Sequence, residues 1–175
     1  LKNMRTKIHK TADVQTKTIG KGTIVWQFCI ILPDAKIGKK CNINAHCFIE
    51  NNVTIGNNVT IKCGVYLWDE IDIEDDVFIG PNATFVNNLT PRSKKYPEKH
   101  IPILVKKGAT VGANSTILGR ITLCEYCMIG AGSIVTKNVP NNTLWVGSPA
   151  KQVGFVCNCG NISSFMYDLG IRILL

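Results

Sequence analysis

The side chains with the most chemistry to offer in this 175-residue chain are its eight cysteines, its three histidines and the cations behind a net charge of +8. Thiolates and imidazoles can bind zinc, act as nucleophiles or move protons. Their spacing restricts those uses. Cys157 and Cys159 form a C-x-C with no second pair to complete four zinc ligands. His9, His46 and His100 are scattered rather than grouped as a ligand trio, so no metal is expected. His100 ends a stretch that contains Pro91 and Pro97 and runs into Pro102. An imidazole there has the intrinsic pKa of a general base at neutral pH. Cys29, Cys41 and Cys47 lie at multiples of six, which marks them as members of a structural column.

The same interval organises the elements that must position these groups. Steps of six from Ile19 reach Val25, Ile31, Ile37, Ile43, Ile49, Ile55, Ile61, Leu67, Ile73, Ile79 and Phe85, all large and apolar. At the chain's 45% hydrophobic background, such a run arises by chance on the order of once in 10⁴. A second column, four residues later, holds Thr23, Cys29, Ala35, Cys41, Cys47, Val53, Val59, Val65, Val77 and Ala83, and it also faces inward. His46 and a third column of Gly, Asn and Asp (Gly22, Asp34, Asn52, Asn58, Gly64, Asp76, Asn82, Asn88) tolerate positive φ and predict a corner in every hexad. A period of six drifts around a helix of 3.6 residues per turn but suits short strands joined by corners. Stacked hexads of this kind form an all-β parallel β-helix with coils about 4.8 Å apart.

The period stops at Phe85 and resumes at Val105, Val111, Ile117, Leu123, Ile129 and Val135, with Cys127 in the small inward column and Gly108, Asn114, Gly132 and Asn138 in the corner column. The phase shift implies an insertion of two, eight or fourteen, depending on how many hexads the break replaces. Residues 87–102, with three prolines and no period, are read as a projecting loop long enough for a functional role. Residues 1–18 read as a cap, 1–155 as one β-helix domain, and 156–175 as a C-terminal tail. A solenoid face is flat, so a pocket needs the loop, a neighbouring subunit or both. If three hexads make a coil, Asn51, Asp69 and Asn87 stack in one outward column beside the loop. Trp68 stands next to them as a subunit contact or a platform for a sugar or base.

The hexads, the loop Phe85-Val86-Asn87-Asn88-Leu89-Thr90-Pro91-Arg92-Ser93 and the preceding Leu67-Trp68-Asp69 resemble the hexapeptide-repeat acyltransferases. So do Gly130-Ala131-Gly132-Ser133-Ile134-Val135-Thr136-Lys137 and Val146-Gly147-Ser148-Pro149-Ala150-Lys151. More narrowly, they resemble the 3-N-acetyltransferases that acetylate dTDP-3-amino-3,6-dideoxyhexoses. The resemblance covers roughly residues 8–155. It implies a left-handed three-sided β-helix, a homotrimer, and active sites between subunits that take acetyl-CoA and a nucleotide-linked amino sugar. It further implies that Asn87 holds the sugar amine and that Trp68, Asp69, Asn88 and Arg92 serve the substrate; His100, on the loop, is the competing catalytic candidate by its intrinsic pKa rather than by the resemblance. Gly112, Ala113, Ala131 and Ser133 would line the pantetheine arm of CoA, and Ser148, Pro149 and Lys151 its adenine and 3′-phosphate end. Val86 and Asn88 depart from the Thr and the acidic residue common in that family.

The basic residues form no helix or finger pattern, so nucleic acid is not an expected partner. No apolar stretch approaches the roughly 20 residues of a membrane span, and a cytoplasmic protein is expected. Two further functions fit the residues: acetylation of a UDP-linked 3-amino uronic acid, and a non-enzymatic trimeric scaffold.

Overall fold

The computed structural model describes residues 5–165. Within them all regular structure is β, in short strands of which most contain two residues. Each strand contributes one large residue inward, and the next corner contributes one small residue. That is why Ile31, Ile43, Ile49, Ile61, Leu67, Ile79 and Phe85 alternate in the core with Cys29, Ala35, Cys41, Cys47, Val59 and Val65, all at or near zero exposure. The strands stack into three sheets that form the walls of a left-handed parallel β-helix.

The first wall contains Ile24–Val25, Asn42–Ile43, Thr60–Ile61, Phe78–Ile79, Thr110–Val111 and Met128–Ile129. The second contains Ile30–Ile31, Phe48–Ile49, Tyr66–Leu67, Thr84–Phe85, Thr116–Ile117 and Ile134–Val135. The third contains Lys36–Ile37, Val53–Ile55, Ile71–Ile73, Ile103–Val105 and Thr122–Leu123. Parallel register makes each coil three hexads long: Tyr66 pairs with Phe48, Ile71 with Val53 and Phe78 with Thr60. Across the loop, Ile71 pairs with Ile103 and Thr84 with Thr116. The register offset is 18 from Ile71 back to Val53 but 32 forward to Ile103. The insertion accounts for the difference, fourteen, which is the largest of the three values the phase shift allows. The ends deviate by a residue or two, since Lys7 pairs with Ile24 and Met128 with Leu144.

β structure also continues past residue 155, beyond the expected start of the tail. Thr143–Gly147 turns back antiparallel into Ala150–Val156, which pairs with Ile162–Phe165. The rest of the expected tail, 166–175, lies outside the described residues. Cys157 and Cys159 form a disulfide, a pairing that the C-x-C reading did not anticipate. Three thiols of the inward column are held protonated: burial pushes Cys127 up to about 12 and raises Cys41, while a hydrogen bond with Cys29, together with burial, raises Cys47; the same bond from the Cys47 side lowers Cys29 to about 7.

The corners use two devices where the sequence suggested one. Positive φ occurs at Asn58, Asp76, Asn82, Asn114 and His46 as predicted, but also at Phe28, Lys40, Glu70, Arg120 and Tyr126. Asp34, Asn52, Asn88 and Asn138 do not adopt it. Side-chain oxygens supply the second device by accepting backbone N–H groups from the preceding coil. Asp69 Oδ1 accepts from Asn52 N at 2.7 Å, Asn57 Oδ1 from Lys39 N at 2.9 Å, Asp75 Oδ1 from Asn57 N at 2.6 Å and Asn138 Oδ1 from Thr122 N at 2.8 Å. Sequence periodicity sees that Asn and Asp recur; it does not distinguish an αL backbone from an acceptor side chain.

The Asn57 N–H holds the Asp75 carboxyl below its usual 3.8. A depressed folded-state pKa stabilises the fold above the unfolded value, and that contribution is lost as pH falls through the folded value. Thermal melts of the wild type should therefore drop more steeply below pH 3.8 than those of Asp75→Asn, whose amide oxygen still accepts the bond. Parallel melting curves for the two proteins would exclude this role for the carboxylate.

Candidate active site

Two edges of the second wall collect the residues singled out by the sequence. On one edge the chain leaves Phe85, projects as the inserted loop and returns at Ile101. The neck of the loop is closed by the Ile101 N–H donating to the Asn87 carbonyl at 2.9 Å. That bond brings His100, the residue before Ile101, to the same neck as Asn87. Below it, Gly119 is buried beneath Ile101 and the Val86 carbonyl, where a Cβ would come within 2.8 Å of Ile101 Cγ2. Gly119 is thus a support for the loop that the hexad pattern did not reveal.

The Asn87 carboxamide donates through Nδ2 to the Asp69 carbonyl at 3.1 Å, which leaves Oδ1 as its acceptor. Asp69 is bound into the corner on three sides. Its carbonyl accepts from Asn87, its N–H donates to Glu50 Oε2 at 2.7 Å, and its carboxylate accepts from Asn52 N. Trp68 is half-buried and packs against the core, with the rings of Phe48 and Tyr66 at 5.7 and 6.0 Å. Asn88 Oδ1 accepts from Thr90 N at 3.0 Å, closing a local turn at the start of the loop. Arg92 lies apart from the neck, exposed at a tight turn where Lys95 N donates to its carbonyl and its guanidinium donates to Pro91 O. His100 is half-buried, and its Nδ1 is buried with no hydrogen-bond partner. A buried unpaired ring nitrogen costs free energy, on the order of 1–3 kcal/mol, until a partner arrives.

The opposite edge carries the expected cofactor residues in order. Gly112-Ala113 and Ala131 follow the first-wall strands of successive coils, and Gly132 N donates to the Ala113 carbonyl at 2.8 Å. The glycine at 112 is demanded by stacking, because a Cβ would stand 2.5 Å from Ala131 N in the next coil. At the end of this edge sits the hairpin Gly147-Ser148-Pro149-Ala150, with Ser148, Pro149 and Lys151 all exposed. Ser133 requires a correction: it is fully buried, and its Oγ accepts from Gly147 N at 3.1 Å. Its hydroxyl anchors the hairpin from inside the prism and offers nothing to a ligand outside. Lys137, which sequence reasoning left unassigned, places Nζ 5.5 Å from the centroid of the Trp145 ring beside the same hairpin.

The two edges are one hexad apart, roughly 20 Å of extended chain at about 3.3 Å per residue. An elongated ligand on the hairpin edge can therefore present its far end to the neck across the outward side chains of Thr84, Thr116 and Ile134. Among the described residues no group of three His, Cys, Asp or Glu converges to hold a metal ion.

The hexads of this prism carry the sequence pattern of a family described as bacterial transferase hexapeptide. The pattern of that family, described as six repeats, matches residues 16–51 and 52–87, and the hexapeptide repeat of succinyl-transferase matches 35–68 and 102–137. The chain belongs to the hexapeptide-repeat acyltransferases. It is 52% identical over 159 residues to dTDP-3-amino-3,6-dideoxy-alpha-D-galactopyranose 3-N-acetyltransferase of Aneurinibacillus thermoaerophilus, covering 91% of this chain and 83% of that protein. Two solved structures share the fold. LpxA, a UDP-N-acetylglucosamine acyltransferase from Bacteroides fragilis, has a TM-score of 0.72 at 19% identity, covering 89% of this chain and 62% of that one. The acetyl-CoA complex of the hexapeptide-repeat acetyltransferase VCA0836 from Vibrio cholerae has a TM-score of 0.60 at 23% identity, covering 81% of this chain and 72% of that one.

The bond from Asn87 Nδ2 to Asp69 O ties the neck to the neighbouring coil. Removing one such hydrogen bond costs about 1 kcal/mol, so Asn87→Ala should raise the rate of tryptic cleavage within residues 92–99 about fivefold. Unchanged cleavage, followed by mass spectrometry, would show that the neck does not depend on this side chain.

Proposed function

We propose that this protein transfers the acetyl group of acetyl-CoA to the 3-amino group of a dTDP-3-amino-3,6-dideoxyhexose, with the galacto epimer as the first substrate to try. The observation that carries this reading is the 52% identity to an enzyme of that name, along an alignment that covers 91% of the chain. Acetyl-CoA then lies along the hairpin edge. Lys151 and Lys137 provide positive charge for its phosphates, and Gly112, Ala113 and Ala131 leave room for the pantetheine arm.

The chemistry asks little of the protein. The amine nitrogen attacks the thioester carbonyl, the CoA thiolate leaves, and the nitrogen gives up one proton. Holding the reactants near 3 Å in a fixed orientation supplies most of the acceleration. Asn87 Oδ1 accepts an N–H of the sugar amine, and a backbone N–H stabilises the oxyanion. His100, whose Nδ1 lacks a partner, takes the proton. The same reading places the enzyme in the cytoplasm.

The same reading includes a homotrimer. On the upper second wall Phe28, Ile30 and Tyr66 are 55, 41 and 49% exposed, with half-buried Phe48 and Trp68 between them. This apolar strip continues directly into the loop neck, so a second copy packed on it also walls the site.

Incubation with acetyl-CoA and dTDP-3-amino-3,6-dideoxygalactose should release free thiol. Absence of turnover on every 3-amino epimer rejects the function, and faster turnover of a UDP-linked 3-amino uronic acid reassigns the substrate. His100→Ala should lower kcat by about 10²–10⁴-fold with CoA affinity retained. Loss of CoA binding instead would place His100 on the cofactor.

Tyr66→Glu should convert a trimer to monomers in light scattering and remove activity with them. A trimer that survives this charge would move the interface elsewhere.

A further inference from the structure

The Cys157–Cys159 bridge is the one disulfide among the described residues, and the proposed acetyl transfer leaves it unused. Its bridge spans a single residue, Asn158, at the turn between Ala150–Val156 and Ile162–Phe165. The two sulfurs are not equivalent. Cys159 is exposed, whereas Cys157 is half-buried and its Sγ accepts the Cys159 N–H at 3.2 Å. A backbone donor aimed at one sulfur stabilises negative charge as it develops there, which makes that sulfur the better leaving group in exchange.

The surroundings hold the turn independently of the bridge. Asn142 Nδ2 donates to Asn158 Oδ1 at 2.7 Å and to Val156 O at 3.0 Å, and Val156 N donates back to the Asn142 carbonyl. Cys157 N donates to Asn161 O, and Gly160, at φ 88°, donates to Cys157 O. Opening the sulfur bridge therefore leaves the hairpin attached to the last coil.

We propose that Cys157–Cys159 is a thiol–disulfide exchange site for small aliphatic thiols. The incoming thiolate attacks Cys159 Sγ and forms a mixed disulfide there; the Cys157–Cys159 bond breaks, and Cys157 departs as the thiolate and takes a proton from water. A second thiol then attacks the mixed disulfide, releases its own disulfide and leaves both cysteines reduced. The cell's bulk thiols belong to the reacting class, and so does free CoA, the thiol that acetyl transfer releases. Exchange requires no acetyl transfer, so the two readings stand or fall separately.

The test is peptide mapping by mass spectrometry of the full chain, purified without reductant. Before any thiol is added, iodoacetamide should label exposed Cys63 and leave Cys157 and Cys159 unlabelled. After a brief exposure to glutathione or, in parallel, to coenzyme A, acid quenching and alkylation should show the adduct on Cys159 with carbamidomethyl on Cys157. The Cys157→Ser variant cannot resolve the adduct and should accumulate it on Cys159 at least tenfold over wild type when treated with glutathione disulfide. A ratio of CoA to glutathione adduct above ten identifies CoA as the preferred thiol, and a ratio near one identifies a general thiol site. Adducts on Cys157, labelling of both cysteines before thiol is added, or a bridge still intact after thiol treatment would each overturn the proposal.

Discussion

Neighbouring coils of this protein stand one β spacing apart, about 4.8 Å, and everything else is arranged to keep that distance uniform. Backbone hydrogen bonds run from coil to coil at each strand, such as Asn42 N to Val59 O and Thr60 N to Val77 O. A single oversized residue at a corner would wedge the coils apart. The glycines at 20, 38, 56, 80 and 112 have no space for a Cβ, because the backbone of the next coil already occupies it. The small inward column has the same origin, since cysteine, alanine, valine and serine fill a triangular interior that large residues from all three walls have nearly closed.

That regularity explains why the proposed site lies where it is interrupted. Among the described coils the inserted loop is the one large departure from period. Its neck is closed by main-chain and side-chain bonds into the same corner ladder that holds the neighbouring coils, so the loop begins and ends on a rigid base. Asn87 belongs to both systems. One end of its amide joins the ladder, and the other is the acceptor that the proposed function assigns to the sugar amine.

A reaction between an amine and a thioester suits such a site. The leaving thiolate needs no acid and the nucleophile only modest help, so geometry carries more of the rate than proton transfer does. The His100 Nδ1, buried without a partner at the loop neck, is the group that the proposed function uses as the base. The hairpin at the far end of the prism extends the first wall by two antiparallel strands and brings the terminal lysines and the sulfur pair to the end of the coil stack.

How much of this was legible in the residues follows from which interactions are periodic. The walls, the inward columns, the buried cysteines and the position of the break all follow from the interval of six, because each hexad meets the same neighbours as the one before it. The insertion length was open among three values, since a sequence records phase but not how many hexads a loop replaces; pairing of Ile71 with Ile103 resolved it. Residues at the neck were recognisable singly, but the juxtaposition of Asn87 and His100 depends on one hydrogen bond that joins the two ends of the loop. Ser133 was misread because one small residue looks alike whether it faces a ligand or the core, and only the closed prism assigns its direction. Side-chain period therefore determined the architecture, while the partners of individual polar groups were decided by tertiary packing, which places non-repeating residues beside one another.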